Sequence, residues 1–81
     1  MPSRIPPLQP YANRSGDSGV TAFAERPDAI YVEFTGGPVY LYDHTCPGRA
    51  HVERMQVLAR SGRGLSSYIS QHVTGYRERL R

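Results

Sequence analysis

Residues 20–42 read VTAFAERPDAIYVEFTGGPVYLY, and this stretch decides the predicted fold. Side chains alternate with a period of two in three short runs, which is typical of half-buried β-strands. Two turn signals separate the runs: Pro27-Asp28, and a Gly36-Gly37 pair followed by Pro38. The sequence therefore predicts a three-stranded antiparallel meander over residues 20–25, 29–34 and 39–42.

Pairing the strands through these turns predicts which side chains share a face of the sheet. A three-residue loop at residues 26–28 and a two-residue loop at residues 36–37 sort the side chains into two sets. One predicted face is aliphatic and consists of Val20, Ala22, Ala24, Ile30, Val32, Phe34, Val39 and Leu41. The other carries Thr21, Phe23, Tyr31, Glu33, Tyr40 and Tyr42. We therefore expect four aromatic rings on the face opposite the aliphatic core.

Two helices are predicted after the meander. Pro47 suits the first position of a helix that would end at Gly62. This helix carries an apolar stripe at helical spacing, formed by Val52, Met55, Leu58 and Ala59. Ser66 or Ser67 could cap a second helix that would close near Gly75. The predicted fold class is α+β: a three-stranded antiparallel β-meander with two C-terminal helices packed on its aliphatic face.

The chain of 81 residues is long enough for one small domain. Residues 1–17 contain four prolines and few large hydrophobic side chains. We expect this segment to be a flexible Pro-rich tail, or an extended ligand for a partner, and residues 18–81 to form the folded domain. Residues 76–81 are predicted to be a basic, frayed end.

The composition indicates a cellular compartment and shows how charge is distributed along the chain. The single cysteine, Cys46, excludes an intramolecular disulfide, and no export signal or membrane-spanning run is present, so a cytoplasmic location without a membrane partner is expected. Residues 1–43 hold three arginines and five acids (−2), whereas residues 44–81 hold seven arginines and two acids (+5). All ten basic residues are arginine, which suits phosphate contacts, although the same usage is typical of GC-rich genomes.

Several short motifs occur in a characteristic order. They are Ser18-Gly19-Val20, Ile30-Tyr31-Val32-Glu33-Phe34, Tyr40-Leu41-Tyr42, Ala59-x-Ser61-Gly62-x-Gly64-Leu65 and Tyr68-Ile69. This order resembles the KTSC domain family, a small module of single-domain bacterial or phage proteins that also occurs at the C-terminus of some lysyl-tRNA synthetases. The resemblance implies a small α+β fold without established catalytic residues, and the synthetase context implies RNA binding.

The predicted aromatic face gives the leading functional hypothesis, a non-enzymatic module that binds RNA or tRNA. Four rings would stack on unpaired bases: Phe23, Tyr31, Tyr40 and Tyr42. Four arginines would contact phosphates: Arg49, Arg54, Arg60 and Arg63. The C-terminal arginines, Arg77, Arg79 and Arg81, are further candidates for these contacts. The alternative is that the rings are packed, or that the same face binds a protein partner or a second copy in a homodimer.

No catalytic residue, metal ligand or cofactor is predicted. His44, Cys46 and His51 lie within eight residues, but a zinc site needs three or four well-placed ligands and a cysteine nucleophile needs a positioned base. The loop around Gly62 and Gly64 leads into a helix N-terminus, which favours anions. Since it lacks the lysine of a phosphate-binding loop, we interpret it as a pair of helix caps.

Overall fold

The computed structural model describes residues 5–14, 16 and 19–81. The elements in chain order are β1 Gln9–Pro10, β2 Val20–Arg26, β3 Ala29–Phe34, β4 Val39–Asp43, α1 Arg49–Ser61, α2 Leu65–His72 and β5 Glu78–Arg79. The strands form one antiparallel sheet in the order β1-β2-β3-β4-β5. The α+β class with an antiparallel sheet and two helices is confirmed, whereas the prediction of three strands is wrong because the sheet has five.

The first additional strand comes from the segment predicted to be a flexible tail. Pro10 pairs with Ala22, which an edge strand permits because its outer side needs no backbone donor. Tyr11 is only 5% exposed, and its hydroxyl accepts a hydrogen bond from the backbone N–H of Leu65 at 3.2 Å. The boundary at residue 17 is therefore wrong for residues 9–11. The rest of that prediction lies partly outside the described residues, at positions 1–4, 15 and 17.

The second additional strand comes from the end predicted to be frayed. Glu78 pairs with Leu41, and Arg79 pairs with Tyr40. The backbone N–H of Leu80 donates to the Val39 carbonyl at 2.8 Å, which extends the contact beyond the strand itself. Strand β5 therefore covers the outer edge of β4, where unpaired backbone groups would otherwise be exposed.

Both hairpin registers differ from the prediction. Arg26 pairs with Ala29, so the first turn has two residues rather than three, and Glu33 pairs with Val39, so the second connection is wider than a Gly36-Gly37 turn. A slip of one residue moves a strand's side chains to the opposite face. A bulge at Thr21, between Val20 and Ala22, adds a further shift in β2.

The two faces are consequently composed differently from the prediction. The face under the helices contains the side chains of Val20, Phe23, Ile30, Val32, Phe34, Tyr40 and Tyr42. The other face, here called the uncovered face because neither helix packs on it, contains Ala22, Ala24, Ala29, Tyr31, Glu33, Val39 and Leu41. Of these, Ala24, Ala29 and Val39 are nevertheless buried. The predicted aliphatic and aromatic faces are thus wrong as sets, although the core positions of β3 are correct.

Helix α1 supplies most of the helical contribution to the core. Val52, Met55 and Ala59 are buried against the sheet, as the predicted stripe requires. The helix begins at Arg49, after Gly48, and not at Pro47. It ends as predicted at Gly62, whose left-handed φ of 75° is the usual glycine cap.

One buried residue of α1 is polar. The side-chain amide of Gln56 donates to the carbonyl oxygens of Arg26 and Ala29, at 2.8 and 3.0 Å. These carbonyls flank the β2–β3 turn, so Gln56 fastens that turn to the helix layer. No described helix is long and apolar enough to cross a membrane.

Candidate functional site

The structure does not bring the four predicted rings together. Phe23 and Tyr42 are core residues, 4% and 3% exposed. Tyr40 lies on the same face but at its margin, where it is half-buried. Tyr31 lies on the uncovered face. The predicted surface of four exposed rings is therefore wrong, and only Tyr40 and Tyr31 of this set retain partial exposure.

The four predicted arginines lie in the helical layer, away from Tyr31. Arg49 is paired with Glu53 at 3.0 Å along α1, and Arg60 with Glu25 at 3.4 Å. Arg54 is exposed on α1 and Arg63 on the loop that follows it. Within the described part of the chain these two form no ion pair. The predicted arginines are accordingly separate surface charges, and two of the four are partly neutralised.

A different aromatic cluster forms where the C-terminal segment meets β4. The ring of Tyr76 stacks on that of Tyr40, with centroids 4.6 Å apart and planes inclined by 16°. The guanidinium carbon of Arg79 lies 5.8 Å from the centroid of the Tyr40 ring, within the range of a cation–π contact. We call these three residues the tyrosine–arginine stack.

Backbone hydrogen bonds between β4 and the C-terminal segment fix the position of the stack. The N–H of Arg77 donates to the Leu41 carbonyl at 2.7 Å, immediately after Tyr76. The register of β5 then sets Arg79 opposite Tyr40, so that both lie on the same face of the sheet. The ring of Phe34 also contacts that of Tyr40, with centroids 5.6 Å apart and planes inclined by 56°. The stack is thus built on the sheet edge rather than on a free terminus.

The exposed ring of the stack is that of Tyr76, which is 47% accessible to solvent, and Arg79 is exposed beside it. One face of its ring is covered by Tyr40. Within the described residues Arg79 forms no ion pair, in contrast to Arg77 and Arg81, which are paired with Asp43 and Glu33. The stack therefore combines an exposed ring with an arginine that has no acidic side-chain partner among the described residues and whose Nε donates to the Arg81 backbone oxygen at 3.1 Å.

Tyr42 lies beneath the stack and is not part of the exposed surface. Its ring meets that of Tyr40 edge to face, with centroids 6.5 Å apart. Burial raises the pKa of the Tyr42 hydroxyl well above its usual range, and the nearby Tyr40 and Tyr76 add to this effect. Tyr42 therefore stays neutral and acts as an apolar support for Tyr40.

The histidines do not form a metal centre. Nδ1 of His51 and the hydroxyl of Tyr68 are 2.8 Å apart, and the rings of Tyr68 and His72 lie 4.9 Å apart. Among the residues that the structure describes, no three histidine, cysteine or acidic side chains converge enough to hold a metal ion. Tyr68 also packs against the core, so this group ties α2 to α1.

Sequence reasoning missed Tyr76 as a site residue and named Arg79 only as one of three C-terminal arginines. A signal was present: residues 76–81 alternate Tyr76, Glu78 and Leu80 with three arginines, which is a period of two. Tyr11 and Gln56 were missed as core residues. A tyrosine next to a proline and a glutamine within a helix carry no pattern that marks them as buried.

The fold and the stack define a small α+β domain with an aromatic and basic sheet edge. The chain matches no protein-family model, and comparisons with curated proteins and with solved structures find no significant similarity. The resemblance to the KTSC family stays a prediction.

Proposed function

We propose that this domain is a non-enzymatic binding module for single-stranded RNA, including unpaired regions of tRNA. The observation that carries the proposal is the exposed ring of Tyr76, stacked on Tyr40 beside Arg79. Unpaired bases stack on aromatic side chains, and arginine guanidinium groups stack on bases or contact phosphates. The resemblance to the KTSC family supports the same ligand class.

Charge distribution supports an anionic ligand. Tyr76 and Arg79 of the stack belong to residues 44–81, which carry seven arginines against two acids and therefore a charge of +5. Arg54 and Arg63 add exposed charge from the helical layer. Positive charge spread over this half of the chain would raise the association rate with a polyanion, and that effect decreases with salt.

A protein partner bound through the same rings is the alternative ligand. A protein would be held mainly by apolar contact and by edge pairing along β5. The affinity for a protein partner would depend only weakly on salt. For RNA, the logarithm of the binding constant falls linearly with the logarithm of the salt concentration, because binding releases counterions from the phosphates. Salt dependence therefore separates the two ligand classes.

The test is a fluorescence-anisotropy titration with labelled oligouridylate and with tRNA, each at two salt concentrations. We expect binding that weakens with salt, and a loss of about 5- to 150-fold for Tyr76→Ala, since each stacked base contributes roughly 1–3 kcal/mol. Tyr76→Phe should bind nearly as well as the wild type, because stacking requires the ring and not the hydroxyl.

The matched control is Tyr31→Ala, which removes a half-buried tyrosine from the uncovered face. This variant should leave the RNA affinity unchanged. Absence of salt-sensitive binding in the wild type would overturn the proposal. So would a loss of affinity in Tyr31→Ala that Tyr76→Ala does not share.

A further inference from the structure

Three arginines occupy alternate positions in the C-terminal segment, residues 76–81, and their side chains have different partners. Arg77 is paired with Asp43, whose Oδ2 lies 3.6 Å from the arginine Nε. Arg81 is paired with Glu33. Arg79, between them, lies instead over an aromatic ring of the tyrosine–arginine stack. The two ion pairs therefore flank the arginine of the stack along the chain.

The contact between the C-terminal segment and the sheet is small. Strand β5 has two residues and lies at the edge of the sheet, where it pairs with β4. The N–H groups of Arg77 and Leu80 donate to carbonyl oxygens of β4 at 2.7 and 2.8 Å. So short an edge strand has little stability of its own. Side-chain contacts on either side of β5 therefore decide how firmly the segment is held.

The rest of the domain holds both carboxylates in place. One oxygen of Glu33 accepts a hydrogen bond from the Thr21 hydroxyl at 2.8 Å, while the other meets the Arg81 guanidinium. Oδ1 of Asp43 accepts hydrogen bonds from two backbone N–H groups of the loop after β4, at 2.9 and 3.0 Å, and Oδ2 faces Arg77. Both acidic side chains are 23% exposed, whereas the two arginines are more than half exposed. Each pair therefore orders mainly the side chain of its arginine.

We propose that Glu33 and Asp43 are positioning residues for the tyrosine–arginine stack. Each acts through the arginine that it pairs with, and together they hold the C-terminal segment on β4, so that Tyr76 and Arg79 stay beside Tyr40. They also occupy the outer two arginines of the segment and leave Arg79 without an acidic partner among the described residues. The consequence for RNA rests on the proposed function, whereas the order of the segment does not.

The two carboxylates affect RNA binding in opposite directions. Neutralising both raises the net charge of the chain by two, from +3 to +5. Electrostatic attraction alone would then strengthen the binding of a polyanion. Release of the C-terminal segment would instead displace Tyr76 and weaken binding at the stack. A loss of affinity at the higher net charge is therefore specific to a positioning role.

The test is amide hydrogen exchange, measured by NMR on the 81-residue chain without nucleic acid, for the N–H groups of Arg77 and Leu80. The variant combines Glu33→Gln with Asp43→Asn, because both amides keep an oxygen as hydrogen-bond acceptor and lose the charge. An exposed ion pair changes an equilibrium by about 1.5- to 5-fold. We therefore expect the two N–H groups to exchange about 2- to 25-fold faster in this variant, since two pairs are lost.

Two further variants serve as controls. Glu53→Gln removes an exposed ion pair with Arg49 on α1 and should leave both exchange rates unchanged. Arg77→Gln combined with Arg81→Gln breaks the same two pairs from the other side and should also accelerate exchange, although the net charge falls. Unchanged exchange in the acid variant would overturn the proposal. Acceleration in the acid variant with slowing in the arginine variant would also overturn it, because the effect would follow net charge.

Titration with labelled oligouridylate tests the consequence for RNA. The acid variant should bind more weakly than the wild type in spite of its higher net charge. Faster exchange combined with unchanged or tighter RNA binding would overturn the positioning role. A wild-type chain that binds no RNA would overturn the proposed function, whereas the exchange rates alone decide whether the two acids hold the C-terminal segment.

Discussion

The ring of Tyr76 lies 4.6 Å from that of Tyr40, nearly parallel to it. The contact joins the third strand of the meander to the C-terminal segment. It depends on β5, because pairing of Glu78 and Arg79 with β4 fixes the chain that follows Tyr76. Binding at the stack and order at the C-terminal end are therefore expected to depend on each other.

The first prediction concerns Gly62 and the N-terminal segment. A Cβ atom at Gly62 would lie 2.5 Å from the Cβ of Ala12, and the glycine has a left-handed φ of 75°. Gly62→Ala should therefore lower the free energy of unfolding by about 2–4 kcal/mol, from backbone strain and the collision together. Urea denaturation measures this change.

Gly64→Ala is the matched control for the collision. Gly64 has a similar φ of 83°, but a Cβ there would meet Leu58 at an ordinary 3.7 Å. Gly64→Ala should lower the free energy of unfolding by only about 1–2 kcal/mol. In the Gly62→Ala background, Ala12→Gly should restore part of the lost stability. If Gly62→Ala and Gly64→Ala cost the same, Ala12 is not packed against Gly62 in solution.

The second prediction concerns the buried amide of Gln56. Gln56→Leu keeps the approximate volume but removes both donors to the carbonyls of Arg26 and Ala29. The free energy of unfolding should fall by about 1–3 kcal/mol, because these two carbonyl groups lose their hydrogen-bond donors. Thermal or urea unfolding tests this, with Val57→Ala on the exposed side of α1 expected to stay within about 0.5 kcal/mol. If Gln56→Leu is as stable as the wild type, the hydrogen bonds from Gln56 do not stabilise the β2–β3 turn.

The third prediction concerns stability at alkaline pH. Burial raises the pKa of Tyr42 in the folded protein, whereas in the unfolded chain it is about 10. Above that pH the unfolded state binds fewer protons than the folded state, so stability is retained below about pH 10 and lost as the pH rises further. Tyr42→Phe should show a shallower alkaline decline in urea midpoints. Parallel declines for the two proteins would contradict the burial of this hydroxyl.

The elements that could be predicted from the sequence are those whose apolar side chains all fall on one face. Ile30 and Val32 are core residues as expected, and the stripe of α1 and its end at Gly62 are also correct. The faces of β4 could not be predicted, because Val39 and Leu41 alternate with Tyr40 and Tyr42 and both sets can be buried. Only the length of the turn decides between them, and one residue reverses the outcome.

The candidate site was harder to predict than the fold. Strands β1 and β5 contain two residues each, and such short strands form only when a neighbouring strand provides the pairing. The contact between Tyr40 and Tyr76 follows from this pairing and not from a local motif. Of the three residues in the stack, Tyr40 was predicted as a stacking residue and Arg79 only as a further candidate for phosphate contacts, whereas Tyr76 was not predicted.

The most direct test of RNA binding at the stack is an NMR titration that follows the aromatic side chains as single-stranded RNA is added. We predict upfield shifts for the ring resonances of Tyr76 and Tyr40 and a shift of the Arg79 guanidinium, while Tyr31 and Leu41 on the uncovered face stay unchanged. Shifts confined to Tyr31 and Leu41, or no shifts at saturating RNA, would contradict the account.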